Sequence, residues 1–282
     1  SEFIKGVDNV LELPEVLSRV RELNENIVGK MVKSVIPPSS PHKFCWFNGE
    51  VELYNDILTG KKVTAVNNVG IFVEIVFSDE KRLCYNDGVN LRLLTPGEKR
   101  PSKYQLIIDF EDGCALIFTV AMYGGIICHN GDYDNDYYIS GKKSISIIGD
   151  EFSYQYFENI LSSVKPSLSL KAFLATEQRF VGLGNGVLQD ILFEARLRPR
   201  HKISELSEED IKNIFNSIKS VLLDMTEHGG RDTEKDIFGS PGRYKTKLSK
   251  NTYKNGCSIC GSEITKESYL GGTVYYCPKC QI

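Results

Sequence analysis

The chain has 282 residues, 41% of them hydrophobic and 25% charged, which is enough apolar material for one large core or two ordinary ones and excludes a disordered chain. No apolar run reaches the roughly 20 residues that a membrane-spanning helix needs, and the N-terminus lacks the zones of a signal peptide, so the expectation is a soluble, cytoplasmic monomer without a membrane partner. The net charge of −3 is unevenly spread: residues 1–150 hold 16 Lys and Arg against 21 Asp and Glu, whereas residues 151–282 hold 18 against 16. The opening Ser1-Glu2-Phe3 is compatible with a cloning scar.

In chain order, Pro14 suits a first helical turn, and Val16, Leu17, Val20, Leu23 and Ile27 recur at helical spacing up to Gly29, which predicts one amphipathic helix. From about 31 to 149 the pattern changes to short β-branched and aromatic runs, at Val63 to Val66, Gly70 to Phe77, Tyr104 to Phe110 and Ala115 to Val120. Turn signals separate them at Asn48-Gly49, Asp87-Gly88, Asp112-Gly113 and Asn130-Gly131. An antiparallel sandwich or barrel is expected, with a polar loop from Asn130 to Tyr138. Helical periodicity returns after about 150, in stripes at Phe152 to Leu161, Leu170 to Phe180 and Gly186 to Ala195. The clearest runs from a capping Ser207 through Ile211, Ile214, Ile218, Leu222 and Met225 to Gly229-Gly230. The fold class is therefore α+β: an N-terminal β-sandwich domain over 11–150, a helical domain over 151–250, and a small module over 251–282.

That last module carries the strongest chemical signal. Cys257-x2-Cys260 and Cys277-x2-Cys280, sixteen residues apart, have the spacing of two tight knuckles that present four thiolates to one Zn²⁺. Gly271-Gly272 between them reads as a two-residue hairpin turn. Four protein ligands leave no open position, so the zinc is structural, and it supplies folding free energy to a hairpin too small to fold alone. Cys45, Cys84, Cys114 and Cys128 are scattered and read as small buried apolar residues. Arg243, Lys245, Lys247, Lys250 and Lys254 occupy twelve residues with no acid among them, which suits phosphate contacts and also an ordinary solvated loop.

Gly182-Leu183-Gly184-Asn185-Gly186, opening a helix through Gln189-Asp190-Ile191-Leu192-Phe193, resembles the helix-two-turn-helix motif of the formamidopyrimidine-DNA glycosylase and endonuclease VIII family. Glu12-Leu13-Pro14-Glu15-Val16 is similar to that family's N-terminal signature, and Tyr276-Cys277-Pro278-Lys279-Cys280-Gln281 to its terminal zinc finger, so the resemblance covers about 11 to 281. It implies a protein of base-excision repair that grips double-stranded, lesion-containing DNA and flips out a damaged base. Asn185 is carried over as a phosphate contact beside the zinc hairpin, with Arg243, Lys245 and Lys247 as further DNA-binding residues. The alternative reading of Asn185 is a helix N-cap.

The sequence also departs from the family. The position of the family's nucleophilic proline is Leu11, whose amide nitrogen has no usable lone pair, so lyase chemistry is in doubt. The family's hairpin lysine falls near Gly70 or Ile71, with Lys61 and Lys62 as the neighbouring cations, and the finger arginine corresponds to Gly272. Val120 to Gly125 replaces the void-filling segment, with Met122 or Tyr123 as candidate wedges. Glu12 and Glu15 remain as catalytic candidates, to polarise the sugar or activate water; the competing reading makes both first-turn acids that favour the helix dipole. Two readings follow, a glycosylase that hydrolyses the base and a catalytically silent relative that binds damaged DNA. A third, weaker one is an unrelated zinc-ribbon protein that binds RNA or another protein.

Overall fold

A computed structural model of the chain describes residues 11–86 and 88–282; Ser1-Glu2-Phe3 and Asp87 of the expected Asp87-Gly88 turn lie outside the described residues. The described chain divides into two compact units, one of residues 15–143 with 235–240, the other of residues 11–14, 144–234 and 241–282.

Helix α1, Leu13–Ile27, forms where the spacing predicts it. Its second half is amphipathic, with Leu23 and Ile27 fully buried, but its first half also buries Glu12 at its threshold and Glu15, Ser18 and Arg19. Buried charge at the start of a helix requires partners, and it marks the N-terminal signature as more than a packing element. Arg19 pairs with Glu22 at 2.9 Å and donates to the Lys235 carbonyl, which fastens the 235–240 segment to its own unit.

The β-rich unit holds β1 (Val32–Ile36), β2 (Cys45–Phe47), α2 (Tyr54–Leu58), β3 (Val63–Val69), β4 (Phe72–Phe77), β5 (Arg82–Tyr85), β6 (Val89–Leu94), β7 (Leu106–Phe110), β8 (Ala115–Val120), β9 (Gly124–His129) and α3 (Asp136–Lys143). One sheet has the order β1-β7-β8-β6 and the other β2-β9-β5-β4-β3. Their inner faces meet where Tyr85 of β5 lies edge-on to Phe118 of β8, ring centroids 5.7 Å apart. All pairings are antiparallel except β2 with β9, where Cys45 to Phe47 runs parallel to Gly124 to Ile126. No short hairpin joins that pair, and the chain arrives at the sheet edge from a distant loop. Of the scattered cysteines, Cys84 and Cys128 are buried as expected, whereas Cys45 and Cys114 are partly exposed.

The stretch expected to be a polar loop becomes helical from Asp136, and its Tyr138 is completely buried. The cause lies on the outer face of the five-stranded sheet. Glu74 of β4 is buried there and accepts from the Tyr138 hydroxyl and from the Cys84 thiol at 3.2 Å, while Arg82 Nε stands 3.5 Å away. His129 completes the cluster, its Nε2 3.8 Å from Glu74 and its Nδ1 accepting the Gly131 amide at 2.9 Å. Because Nδ1 accepts, the neutral ring directs its Nε2 hydrogen at the carboxylate.

Helices α4 (Tyr154–Ser163), α5 (Leu170–Ala175), α6 (Asn185–Ala195) and α7 (Glu208–Glu227) build the other unit. Ser153 and Ser169 cap the first two, and a reciprocal Ser207–Asp210 capping box opens the last. The stripe expected from Leu170 to Phe180 stops early, because Glu177 and Gln178 adopt φ of 58° and 52° and turn the chain. Phe180 still reaches the core and packs with Phe152, Phe157 and Phe173.

Burial lowers the pKa of His129 below 6.5, opposed by Glu74 and reinforced by Arg82 and Lys142. A histidine whose folded pKa lies below its unfolded value takes up protons on unfolding, so its share of stability is present above about pH 6.5 and is lost as the pH falls. Urea denaturation between about pH 7.5 and about pH 5 is expected to give falling stability, with a shallower fall in His129→Gln; equal slopes would remove His129 from the linkage.

Candidate nucleic-acid interface

The turn from Gly182 to Gly186 delivers the chain into α6, and the residue at its N-cap position is Gly184, which has no side chain to serve the first amides. A carboxylate from elsewhere does so. Glu12 Oε1 accepts from Gly186 N at 3.0 Å, Oε2 accepts from Val187 N at 3.1 Å, and Arg231 Nη2 lies 2.7 Å from the same Oε2. The backbone bond from Leu13 N to Gly182 O, 2.9 Å, sets the approach. The glycines are required by this contact: a Cβ at 184 would lie 2.1 Å from Glu12 Oε1, and one at 186 would lie 1.8 Å from Arg231 Nη1. Two amides of a helix N-terminus and a guanidinium thus converge on one anion. Glu15 is buried in the first turn of α1, three residues further on.

Asn185 is the first residue of α6, so the N-cap reading does not apply to it. Its Nδ2 donates to the Thr273 carbonyl at 2.9 Å. Gln189, one turn on, donates to Asn185 Oδ1 at 3.2 Å and accepts the Tyr275 amide at 2.9 Å, so α6 is stitched to the finger along the strand. That finger consists of β10 (Thr265–Tyr269) and β11 (Gly272–Tyr276). Tyr269 pairs with Gly272, which puts the two-residue turn at Leu270-Gly271 rather than at Gly271-Gly272; φ of 49° and 77° there is the left-handed pair that hairpin twist demands. Gly272 is left for close approach, since a Cβ on it would lie 3.0 Å from Asn185 Nδ2 and 3.1 Å from Lys171 Nζ. Lys171, buried in α5, also donates to the Tyr269 carbonyl.

The basic run alternates. Arg243, Lys245 and Lys247 are exposed while Tyr244, Thr246 and Leu248 are buried, the period of an extended segment lying along a surface. Asp190 of α6 holds it, accepting from the Tyr244 hydroxyl at 2.8 Å, from Lys247 N at 3.0 Å and from Leu248 N at 2.8 Å. Burial raises the pKa of Asp190, and those two amides oppose the rise. Thr246 Oγ1 donates to Asp232 at 2.8 Å. Lys247 also forms an exposed pair with Glu194, whereas neither Arg243 nor Lys245 is in an ion pair among the described residues.

The Sγ atoms of Cys257, Cys260, Cys277 and Cys280 all lie within 4.8 Å of one another, with Cys257 and Cys280 at 3.8 Å and Cys260 and Cys277 at 3.5 Å. Metal–sulfur bonds of about 2.3 Å at tetrahedral angles place the sulfurs about 3.8 Å apart, so the four fit one metal ion. Backbone amides of Ile259 and Cys280 point at Cys257 and Cys277 sulfurs, 3.5 and 3.4 Å away, as tight knuckles do. The module is also docked: Phe193, Leu248, Ile264 and Tyr275 pack with two of the cysteines, and Gln281 binds Cys277 N and Leu197 O, each at 2.8 Å. Metal binding is therefore not its only source of order.

The hairpin position near Gly70 falls, as expected, in the turn between β3 and β4, where Gly70 has φ 59°. Of the neighbouring cations, Lys61 is paired with Asp79. Arg231 and Lys171 escaped the sequence reading; the only signal for Arg231 was the glycine spacing at 184 and 186, which announces a close neighbour without naming it.

The pattern described as the formamidopyrimidine-DNA glycosylase H2TH domain matches residues 147–236, the span of α4 to α7. The formamidopyrimidine-DNA glycosylase of Lactobacillus delbrueckii subsp. bulgaricus is 26% identical over 283 residues, covering 96% of this chain and 98% of that protein. The corresponding protein of Lactococcus lactis subsp. cremoris is 28% identical over 276 residues with the same coverage. Among solved structures, Lactococcus lactis Fpg bound to DNA with an abasic site superposes with a TM-score of 0.81 at 26% identity, over 96% of this chain and 99% of that one. Its complex with FAPY-dG-containing DNA gives 0.80 with the same identity and coverage. The glycine-opened α6 and the docked finger thus sit in a chain that carries an H2TH domain over residues 147–236 and is similar over 96% of its length to formamidopyrimidine-DNA glycosylases.

Proposed function

We propose that the protein is a base-excision-repair DNA glycosylase: it binds duplex DNA at a lesion, extrudes the damaged nucleotide and hydrolyses its glycosidic bond. The observation that carries this reading is the joint anchoring of Glu12 and Asn185 on the first turn of α6, with Asn185 tied in turn to the finger. The Lactococcus lactis relative is crystallised with abasic-site DNA and with FAPY-dG DNA, which supports a damaged nucleotide as the substrate class.

Three pieces divide the work, a β-sandwich over 11–150, the helix-two-turn-helix region over 151–250 and the finger over 251–282. Asn185, Arg243, Lys245 and Lys247 meet phosphates: Asn185 keeps one amide hydrogen beyond its bond to Thr273, and the three cations are exposed. One Zn²⁺ bound by Cys257, Cys260, Cys277 and Cys280 holds the finger rigid and takes no part in the reaction. Glu12 is the main catalytic group and Glu15 the second candidate. With two amides and Arg231 on its oxygens, Glu12 acts as a carboxylate: it takes a proton from water as the new C1′–O bond forms and the C1′–N bond breaks, the base leaving with the bonding pair and gaining its proton from solvent. Leu11 lacks the secondary amine of a proline, so hydrolysis rather than Schiff-base chemistry is the reaction proposed. No helix among the described residues is long and apolar enough to cross a membrane. The working form is a monomer acting on the chromosome in the cytoplasm.

Glu12→Gln is expected to lower base release from lesion-bearing duplexes at least about 100-fold with affinity within about 3-fold of the parent, read by release assays and anisotropy. Because Glu12 also neutralises Arg231, the thermal midpoint of the variant is recorded alongside. A fully active variant removes Glu12 from the mechanism. Tight lesion binding by the parent without any base release favours the silent relative.

Stripping the metal with a chelator should lower the melting temperature and weaken duplex affinity more than about 10-fold, since the finger then loses its pin. Unchanged affinity would separate the finger from DNA binding.

Affinity should also fall about 10- to 1,000-fold between about 50 and about 200 mM salt, and Arg243→Ala or Lys245→Ala should each reduce the log–log slope by about one. A flat salt dependence would remove the basic run from the interface.

A further inference from the structure

The β-rich unit carries a feature that phosphate contacts leave unexplained. Around β2 three large apolar side chains stand in solvent, Phe44 at 51%, Trp46 at 51% and Met122 at 56% exposure. Single exposed apolar residues are ordinary, whereas a group of them around one strand marks a contact surface. They belong together in the fold: Trp46 is the register partner of Gly125, the Phe44 carbonyl accepts the Gly124 amide at 3.1 Å, and His42 Nε2 lies 3.4 Å from the Ala121 carbonyl. Phe44 and Trp46 thus border the Val120 to Gly125 segment along its length.

Lys43 is the charged side chain of the stretch that carries Phe44 and Trp46, and the next acid along the chain is Glu50. Residues 37–49 contain no Asp or Glu. Lys43 Nζ sits 5.3 Å from the Phe44 ring centroid, and an adjoining cleft of about 250 Å³ is lined by His42, Lys103, Tyr104, Gln105 and Thr119 among others. Aromatic faces flanked by cations are what an unstacked nucleobase and its phosphate need: the ring stacks on the base, and Lys meets the backbone. A protein partner would be met by an apolar surface with a mixed-charge rim, and no carboxylate lies in this segment.

We propose that Phe44 and Trp46 form a base-stacking shelf for a nucleotide that the bound DNA exposes at the lesion, with Lys43, His42 and Lys103 facing its phosphates. The shelf rests on the proposed DNA-binding function, and it adds a second stacking surface beside Met122, built from a strand that joins the sheet edge in parallel.

Trp46 is the only tryptophan in the chain, so fluorescence excited at the red edge of its absorption, where tyrosine does not absorb, reports on the shelf alone. The full-length protein is titrated with a dye-labelled duplex carrying a tetrahydrofuran abasic analogue, and anisotropy of the dye and emission of Trp46 are followed together. Saturation is expected to quench Trp46 about twofold or more. Trp46→Leu and Phe44→Leu should each weaken binding about 5- to 100-fold with an unchanged salt slope, while Lys43→Ala lowers the slope by about one. Both aromatic side chains are half exposed, and a melting curve confirms that each variant is folded. Anisotropy that reports binding while Trp46 emission stays constant would overturn the shelf and leave the glycosylase reading intact. Absence of any binding would overturn both. A change of Trp46 emission with protein concentration alone, and none with DNA, would assign the surface to a second copy of this chain and overturn the proposal.

Discussion

The carboxylate of Glu12 at the N-terminus of α6 is the interaction on which the rest of the site depends. A buried anion is expensive unless it is fully paired, and here two backbone amides and the Arg231 guanidinium meet it within 3.1 Å. The cost of that arrangement is visible in the sequence as glycine at 184 and 186, positions where any side chain would collide with Glu12 or Arg231. The helix gives up an N-cap side chain and receives one from the N-terminal signature instead. Residues 174 and 175 positions apart are thereby fixed to one another by the same electrostatics that caps ordinary helices.

From that fixed end, α6 sets the position of the finger and of the basic run. Asn185 and Gln189 reach the finger, Asp190 holds the buried side of the basic run, and Phe193 packs into the core around the cysteines. Alternation then does for the basic run what sequence counting could not: with Tyr244, Thr246 and Leu248 anchored inward, Arg243, Lys245 and Lys247 have to face solvent. The loop is specified by its neutral residues, and its charges are presented as a result.

The sequence made the larger divisions readable because their signals are local. Helical spacing from Val16 to Ile27, the Ser207 cap, the alternation of β-branched residues and the two Cys-x2-Cys pairs depend only on near neighbours. What escaped it was long-range. The parallel β2–β9 pair has no periodic signature, because a strand of three residues joins the sheet by topology rather than by pattern. Tyr138 reads as polar beside Asp and Asn, yet a buried Glu74 on a distant strand draws it in. Arg231 follows Gly229-Gly230 with nothing among its neighbours to single it out, and only the fold brings it to Glu12. The hairpin turn was missed by one position because two glycines in sequence conceal which of them needs the left-handed conformation and which needs closeness to Asn185.

Having one helix serve as the spine for the finger, the cationic strand and the anion socket carries a mechanical consequence. Grip elements mounted on separate supports can loosen one at a time, whereas these share three turns of backbone, so fraying at either end of α6 would misalign all of them at once. A substitution among the residues that dock the finger is therefore transmitted along α6 toward Glu12, and one at Glu12 toward the finger.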